Sequence, residues 1–322
     1  MSTSRGSAMA DSDGNWERET IEKLAFAALK EQRRARLWGI FFKLLTFAYV
    51  TFILVMALEW KDKGDGGTGK HTALVEVNGV IGPGTDASAE KINTALGAAF
   101  KDKGTLGVVV RINSPGGSPV QAQSIYDEMH RLRKKYPSIP LYAVVEDVCA
   151  SGGYFVAVGA DRIYVSKSSI VGSIGVRMDS FGFTGLMEKL GVERRLLTAG
   201  DNKGLLDPFL PVDEKQKAHV AGMIGEIHSQ FISVVREGRG KRLAEDPDLF
   251  SGLIWTGERS IKLGLADALG TLDYVAREVI KAEDIVDFTQ KENVAEKLAR
   301  RFGASVASAL ADVMLRNATG LR

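Results

Sequence analysis

The sequence is poor in the residues that most often announce a site. It has one cysteine in 322 residues, so an internal disulfide framework is excluded. That residue, Cys149, lies in an apolar run and reads as a small buried core residue. There are four histidines, at 71, 130, 219 and 228, and none between 131 and 218. No His, Asp and Glu cluster has metal-ligand spacing, so neither a metal nor a cofactor is implied. Charge of one sign is lacking too: 42 basic against 40 acidic residues leave a formal net charge of +2. With no basic stretch interleaved with aromatics, nucleic acid is not an expected partner. The G-x-G-x-x-G dinucleotide fingerprint is absent.

What the chain does have is a long apolar run. Leu37 to Leu58 reads LWGIFFKLLTFAYVTFILVMAL, with Lys43 its one charge. At about 1.5 Å per residue it reaches roughly 33 Å, enough for a hydrocarbon core of about 30 Å. Lys43 lies in the first third, where its stem can snorkel to the interface. The segment that follows offers a poor small-residue cleavage site, so an uncleaved anchor is expected over 37–58. Lys30, Arg33, Arg34 and Arg36 crowd its N-terminal side, which predicts an N-terminus inside and the rest of the chain outside. The expected parts are a cytoplasmic segment 1–36, the anchor, a flexible Gly/Lys/Asp tether 59–71 that takes in His71, a globular domain 72–288, and an extension 289–322. Residues 1 to about 15 read as disordered, and 16–36 as helical.

Past the tether, β-branched runs alternate with helical patterns. Strands are expected at 73–81, 107–112, 141–148 and 162–166. Helices are expected at 87–100, 119–135 and 151–160, with a long one from Glu214 to about Arg236. This alternation predicts an α/β fold of repeated βαβ units around a parallel sheet. ERRLLT at 193–198 is strand-like. Residues 294–315 read as an amphipathic helix.

Three places carry chemistry. NSPGGS at 113–118 joins a strand to a helix, and its paired glycines let backbone N–H groups face a cleft; it is also compatible with an ordinary turn. In ASGGY at 150–154, Ser151 follows a strand and opens a helix, as an exposed nucleophile or as an N-cap. Gly152 permits close approach of a carbonyl, and its N–H is a candidate oxyanion donor. With no histidine in the neighbouring loops, a serine would need another base. Lys203 in TAGDNKGLLDPF follows a strand-like run and precedes Leu205, Leu206 and Phe209. A lysine in an apolar cleft gives up its proton more readily than one in water, and Ser-Lys pairs are an established variant of triad logic. A solvated surface lysine is the competing reading.

VNGVI at 77–81, RINSPGGS at 111–118, CASGGYFVA at 149–157, SSIVGSIGV at 168–176 and the NKG loop at 202–204 occur in this order. Together they make the chain resemble the signal peptide peptidase A (protease IV) family within the ClpP/crotonase superfamily, over roughly residues 73 to 280. The resemblance implies a ClpP/crotonase-like fold behind one transmembrane helix. It implies a serine endopeptidase with Ser151 as nucleophile, Lys203 as general base and Ser173 hydrogen-bonded to that lysine. Oxyanion donors fall on Gly152 and Gly117. The motifs occur once, like the short form of the family, which implies a homo-oligomeric ring with sites shared between protomers. Implied substrates are cleaved signal peptides and other unfolded or hydrophobic peptides, at the outer face of the inner membrane. The alternatives are a membrane peptidase with a dedicated membrane-protein partner of the stomatin-like kind, and a non-proteolytic acyl-CoA enzyme. A CoA enzyme needs neither Ser151 nor Lys203.

Overall fold

A computed structural model describes residues 10–62 and 69–290. The chain divides into two compact units, residues 1–66 and 67–322. The first contains one helix, α1, Ala10–Asp62. Its 53 residues make a rod of about 80 Å at 1.5 Å per residue. Within it Thr20–Met56 is long and apolar enough to cross a membrane, with a mean hydropathy of 2.0 in its most apolar stretch. Thr46 and Thr51 return their hydroxyl hydrogens to the carbonyls of Phe42 and Phe47, so neither leaves a polar group open in the apolar run. The helix starts at Ala10, inside the stretch expected to be disordered.

In the second unit the expected βαβ alternation is realised. β1 (His71–Asn78), α2 (Ala89–Lys101), β2 (Thr105–Ser114), α3 (Pro119–Lys135) and β3 (Leu141–Ala150) follow in order. β1, β2 and β3 lie side by side and parallel. Period-two alternation divides their side chains. Val108, Val110 and Ile112 enter the main core with α2, α3 and α4 (Gly152–Ala157), while Val109 and Val144 join a smaller cluster with Tyr164 and Val275. α3 begins at Pro119 for a local reason: Ser118 accepts from the Gln121 N–H, and proline at the first helical position loses no hydrogen bond.

β3 has two partners on its far side. Its first half pairs with β4 (Arg162–Val165), which pairs in turn with β7 (Ala268–Leu269). Its last three residues pair with β5 (Ile170–Gly172), which pairs antiparallel with β6 (Ile254–Thr256). The switch occurs at an irregularity. Ile112 faces Val145, but Ser114 faces Cys149, so β3 spends extra residues there and turns. The edge strand β8 (Ile285–Asp287) closes the other side on β1.

Further helices are α5 (Thr184–Leu190), α6 (Glu214–Arg239), α7 (Gly257–Lys262) and α8 (Leu272–Tyr274). The fully buried Arg239 ties the end of α6 to the core. It donates to the Gly264 carbonyl and to both oxygens of Asp267, which also accepts from the Ile163 N–H. Two expectations change. His71 is buried in β1, 1% exposed, with its Nδ1 on the Gly69 carbonyl at 3.0 Å. ERRLLT forms no strand: residues 193–198 have no regular secondary structure, are mostly exposed, and pair with no strand among the described residues. The expected helix at 294–315 lies outside the described residues.

Candidate active site

β3 ends at Ala150, and the backbone turns sharply at Ser151, with φ +52° and ψ −123°. A non-glycine residue in that region costs on the order of 1–3 kcal/mol and persists only where its surroundings fix it. Here they do. The Ser151 N–H donates to the Gly172 carbonyl at 2.8 Å, and the Ser151 carbonyl accepts from the Phe155 N–H at 2.9 Å. The side chain does not cap α4, so the N-cap reading fails. Ser151 is only partly buried at the end of a strand, and its hydroxyl is not spent on a cap, as a nucleophile requires. Cys149, two residues back, is no rival: complete burial pushes its thiol far above the usual range.

NSPGGS runs beside this turn. Ser114 ties its start, donating its hydroxyl hydrogen to the Gly79 carbonyl at 2.6 Å and accepting from the Gly116 N–H at 3.1 Å. Gly117 then lies against Ile81 in a one-residue parallel bridge. Gly117 sits at φ +149°, and a Cβ there would fall on the Ile81 carbonyl oxygen, so only glycine fits. The same strip touches the serine turn. A Cβ on Gly116 would lie 2.7 Å from that of Ser151, and one on Gly152 would lie 3.2 Å from the Gly117 nitrogen. Among the described residues, no hydrogen bond occupies the N–H of Gly117 or of Gly152. Two free amides therefore stand together beside the serine.

Ser173 is a second strained position, at φ +52°, just after Gly172 at φ +118°. Its N–H donates to the Leu253 carbonyl at 2.7 Å. The Gly172 carbonyl and the Ser173 backbone thus share one turn with the anchor of Ser151. Sequence reasoning missed a neighbour here. His228 on α6 places Nε2 3.1 Å from the carbonyl of Ile174, the residue after Ser173. The two are 54 positions apart, and no local pattern signals the contact.

Lys203 is elsewhere in character. It lies in an exposed loop, its N–H donating to the Gly200 carbonyl at 3.1 Å. Its side chain makes no hydrogen bond or ion pair among the described residues. The surrounding stretch, 177–213, holds itself together by the stacked rings of Phe183 and Phe209 and by Arg194 on Asp207 at 3.0 Å. It presents Phe181, Leu186, Leu190 and Leu197 to solvent. The chain thus gathers Ser151, Gly152, Gly117 and Ser173 and leaves Lys203 without a contact to any of them.

The profile of Peptidase family S49 matches residues 133–286. A protein of Enterococcus faecium named "Putative signal peptide peptidase SppA" is 30% identical over 233 residues, 70% of this chain and 67% of its own length. A Brucella melitensis protein named Na(+)/H(+) antiporter NhaA is 44% identical over 204 residues, 62% of this chain but 28% of its own length. Among solved structures, a membrane-bound stomatin-specific protease with a substrate peptide aligns at a TM-score of 0.45 and 12% identity, covering 73% of this chain and 98% of its own. The chain spans only 28% of the first two curated relatives it matches. It belongs to peptidase family S49, the signal peptide peptidase A family.

Proposed function

We propose that this chain is a membrane-anchored serine endopeptidase with a Ser151–Lys203 dyad, and that Lys203 comes from a neighbouring copy. The observation that carries this reading is the strained turn at Ser151, with its uncapped hydroxyl beside the free amides of Gly117 and Gly152. The Ser151 hydroxyl attacks the scissile carbonyl and passes its proton to the neutral Lys203 amine. The carbonyl oxygen becomes an oxyanion and accepts from the two glycine amides. Lys203 then protonates the leaving amine and activates the water that hydrolyses the acyl-enzyme. Ser173 holds the lysine by its hydroxyl. Among the described residues the Lys203 side chain has no partner, and the stretch 177–213 that carries it exposes several apolar side chains. A second copy that covers this surface would desolvate the lysine and bring it to Ser151. Such a head-to-tail contact repeats and closes into a ring.

The substrates are cleaved signal peptides and other extended apolar segments, and the site stands outside the membrane with residues 1–36 inside. A fluorophosphonate probe should label wild-type protein and not Ser151→Ala. Mixing inactive Ser151→Ala chains with inactive Lys203→Ala chains should restore part of the peptidase activity. Mixed assemblies that form and stay inactive would place the whole dyad in one chain.

A further inference from the structure

We propose that His228 is a positioning residue for this site, holding the Ser173 turn through the Ile174 carbonyl. The inference rests on the reading of Ser173 given above. The turn is fixed by three successive backbone groups. The Gly172 carbonyl accepts from the Ser151 N–H at 2.8 Å and the Ser173 N–H donates to the Leu253 carbonyl at 2.7 Å. The Ile174 carbonyl accepts from His228 Nε2 at 3.1 Å. Two of these contacts are backbone to backbone, and the third is the only one a side chain supplies. A carbonyl only accepts, so Nε2 carries the hydrogen. That requirement is met in both the neutral and the charged imidazole.

The histidine is mounted on a firm support. Three residues further along α6, Phe231 is buried against Phe155 of α4, ring centroids 5.1 Å apart. Arg239 pins the helix end to Gly264 and Asp267. At its other end, Gln216 reaches Asn202, the residue before Lys203, at 3.5 Å. α6 therefore touches the turn of Ser173 and the loop of Lys203 within one element. Ser173 holds positive φ without being glycine, and a strained turn relaxes when a tie is cut.

The test compares His228→Leu, which removes the donor, with His228→Gln, whose amide nitrogen reaches about as far. His228→Leu should lower kcat about ten- to hundredfold with KM little changed, as expected for a misplaced group. Amide hydrogen exchange over 172–175 should accelerate in the same variant. His228→Gln should restore both. If leucine disturbs the packing of α6, His228→Asn, an amide too short to reach, takes its place. Unchanged exchange and unchanged kcat in the donor-less variants would overturn the proposal. So would an inactive His228→Gln with a protected turn, which would make the imidazole an acid or base. The exchange result does not depend on the proposed activity; Ser151→Ala in the same assay reports separately on that.

Discussion

Ser151 and Lys203 sit in regions held together to very different degrees. Around Ser151 the turn is tied on all sides, its N–H to Gly172, its carbonyl to Phe155, and the adjoining strip to Gly79 and Ile81, with the Gly117 and Gly152 N–H groups left open. The strained φ is over-determined. Around Lys203 the backbone ties run mostly within 200–210, with Arg194 on Asp207 and Gln216 on Asn202 the links from outside, and Lys203 itself is exposed. A hydroxyl nucleophile must be aimed before the substrate arrives, because misplacement by about 1 Å can cost on the order of a hundredfold. A lysine base must be desolvated, and a loop with apolar neighbours but no cover cannot do that alone. On the proposed reading, the contrast is between a serine half that the fold already holds in place and a lysine half that a second surface would have to cover.

The sharpest way to break this comparison is to remove each half. Ser151→Ala and Lys203→Ala should each cut peptide hydrolysis by about a thousandfold or more, and the double variant should be no worse, because the two act as a unit. Steady-state kinetics on an unfolded peptide checks this; Lys203→Arg should be as inactive, since guanidinium stays charged. Next comes the serine half. Gly152→Ala sets a methyl 3.2 Å from the Gly117 nitrogen, over the space where the oxyanion would form. It should cost about a hundredfold in kcat, with thermal stability near wild type.

The lysine half predicts a smaller, conditional effect. Replacing Phe181 and Leu197 by serine removes exposed apolar surface. Each change should alter the folding free energy little, within about 0.5 kcal/mol. Activity should become steeply dependent on protein concentration, as sedimentation and dilution assays would show. An unchanged dilution profile would mean that this surface does not carry assembly.

The least effect on turnover, and a large one on stability, is expected at Asp267, remote from both regions. Burial pushes its carboxyl up, but the hydrogen bonds and charge of Arg239 outweigh that and hold it below its usual value. A depressed carboxylate contributes stability that is complete above its unfolded value of about 3.9 and is lost as pH falls through the folded one. Melting points should therefore drop below about pH 4. Asp267→Asn should be less stable near neutrality, by about 3 kcal/mol, and should lose less on acidification.

Much of this architecture was legible in the sequence. The strands at 107–112 and 141–148 were readable because parallel strands buried on both faces become continuous β-branched runs. α3 declared its start through Ser118 and Pro119. Ser151 and the glycines stood out through the NSPGGS and ASGGY motifs, whose adjoining turns the fold brings together; their catalytic roles came from the family resemblance alone. ERRLLT misled because propensity without a neighbouring strand makes no sheet. The partner switch of β3 was hidden, since β5 and β6 are three residues each and carry too little pattern. His228 was hidden because a contact across 54 positions is a property of the packed helix.

The forked strand β3 also divides the molecule by how readily its parts open. Its first half is locked between β2 and β4, deep in the larger core. Its last residues lean on β5, a short strand backed by an equally short β6; Ile254 of β6 and Leu253 just before it are exposed. Local opening is cheapest where few apolar contacts must be given up. A fluctuation that frees the β5–β6 branch therefore releases the Gly172 carbonyl from Ser151 while the rest of β3 stays paired. Ser151 therefore sits where β3 changes partners, and its N–H is held by the shorter of the two branches.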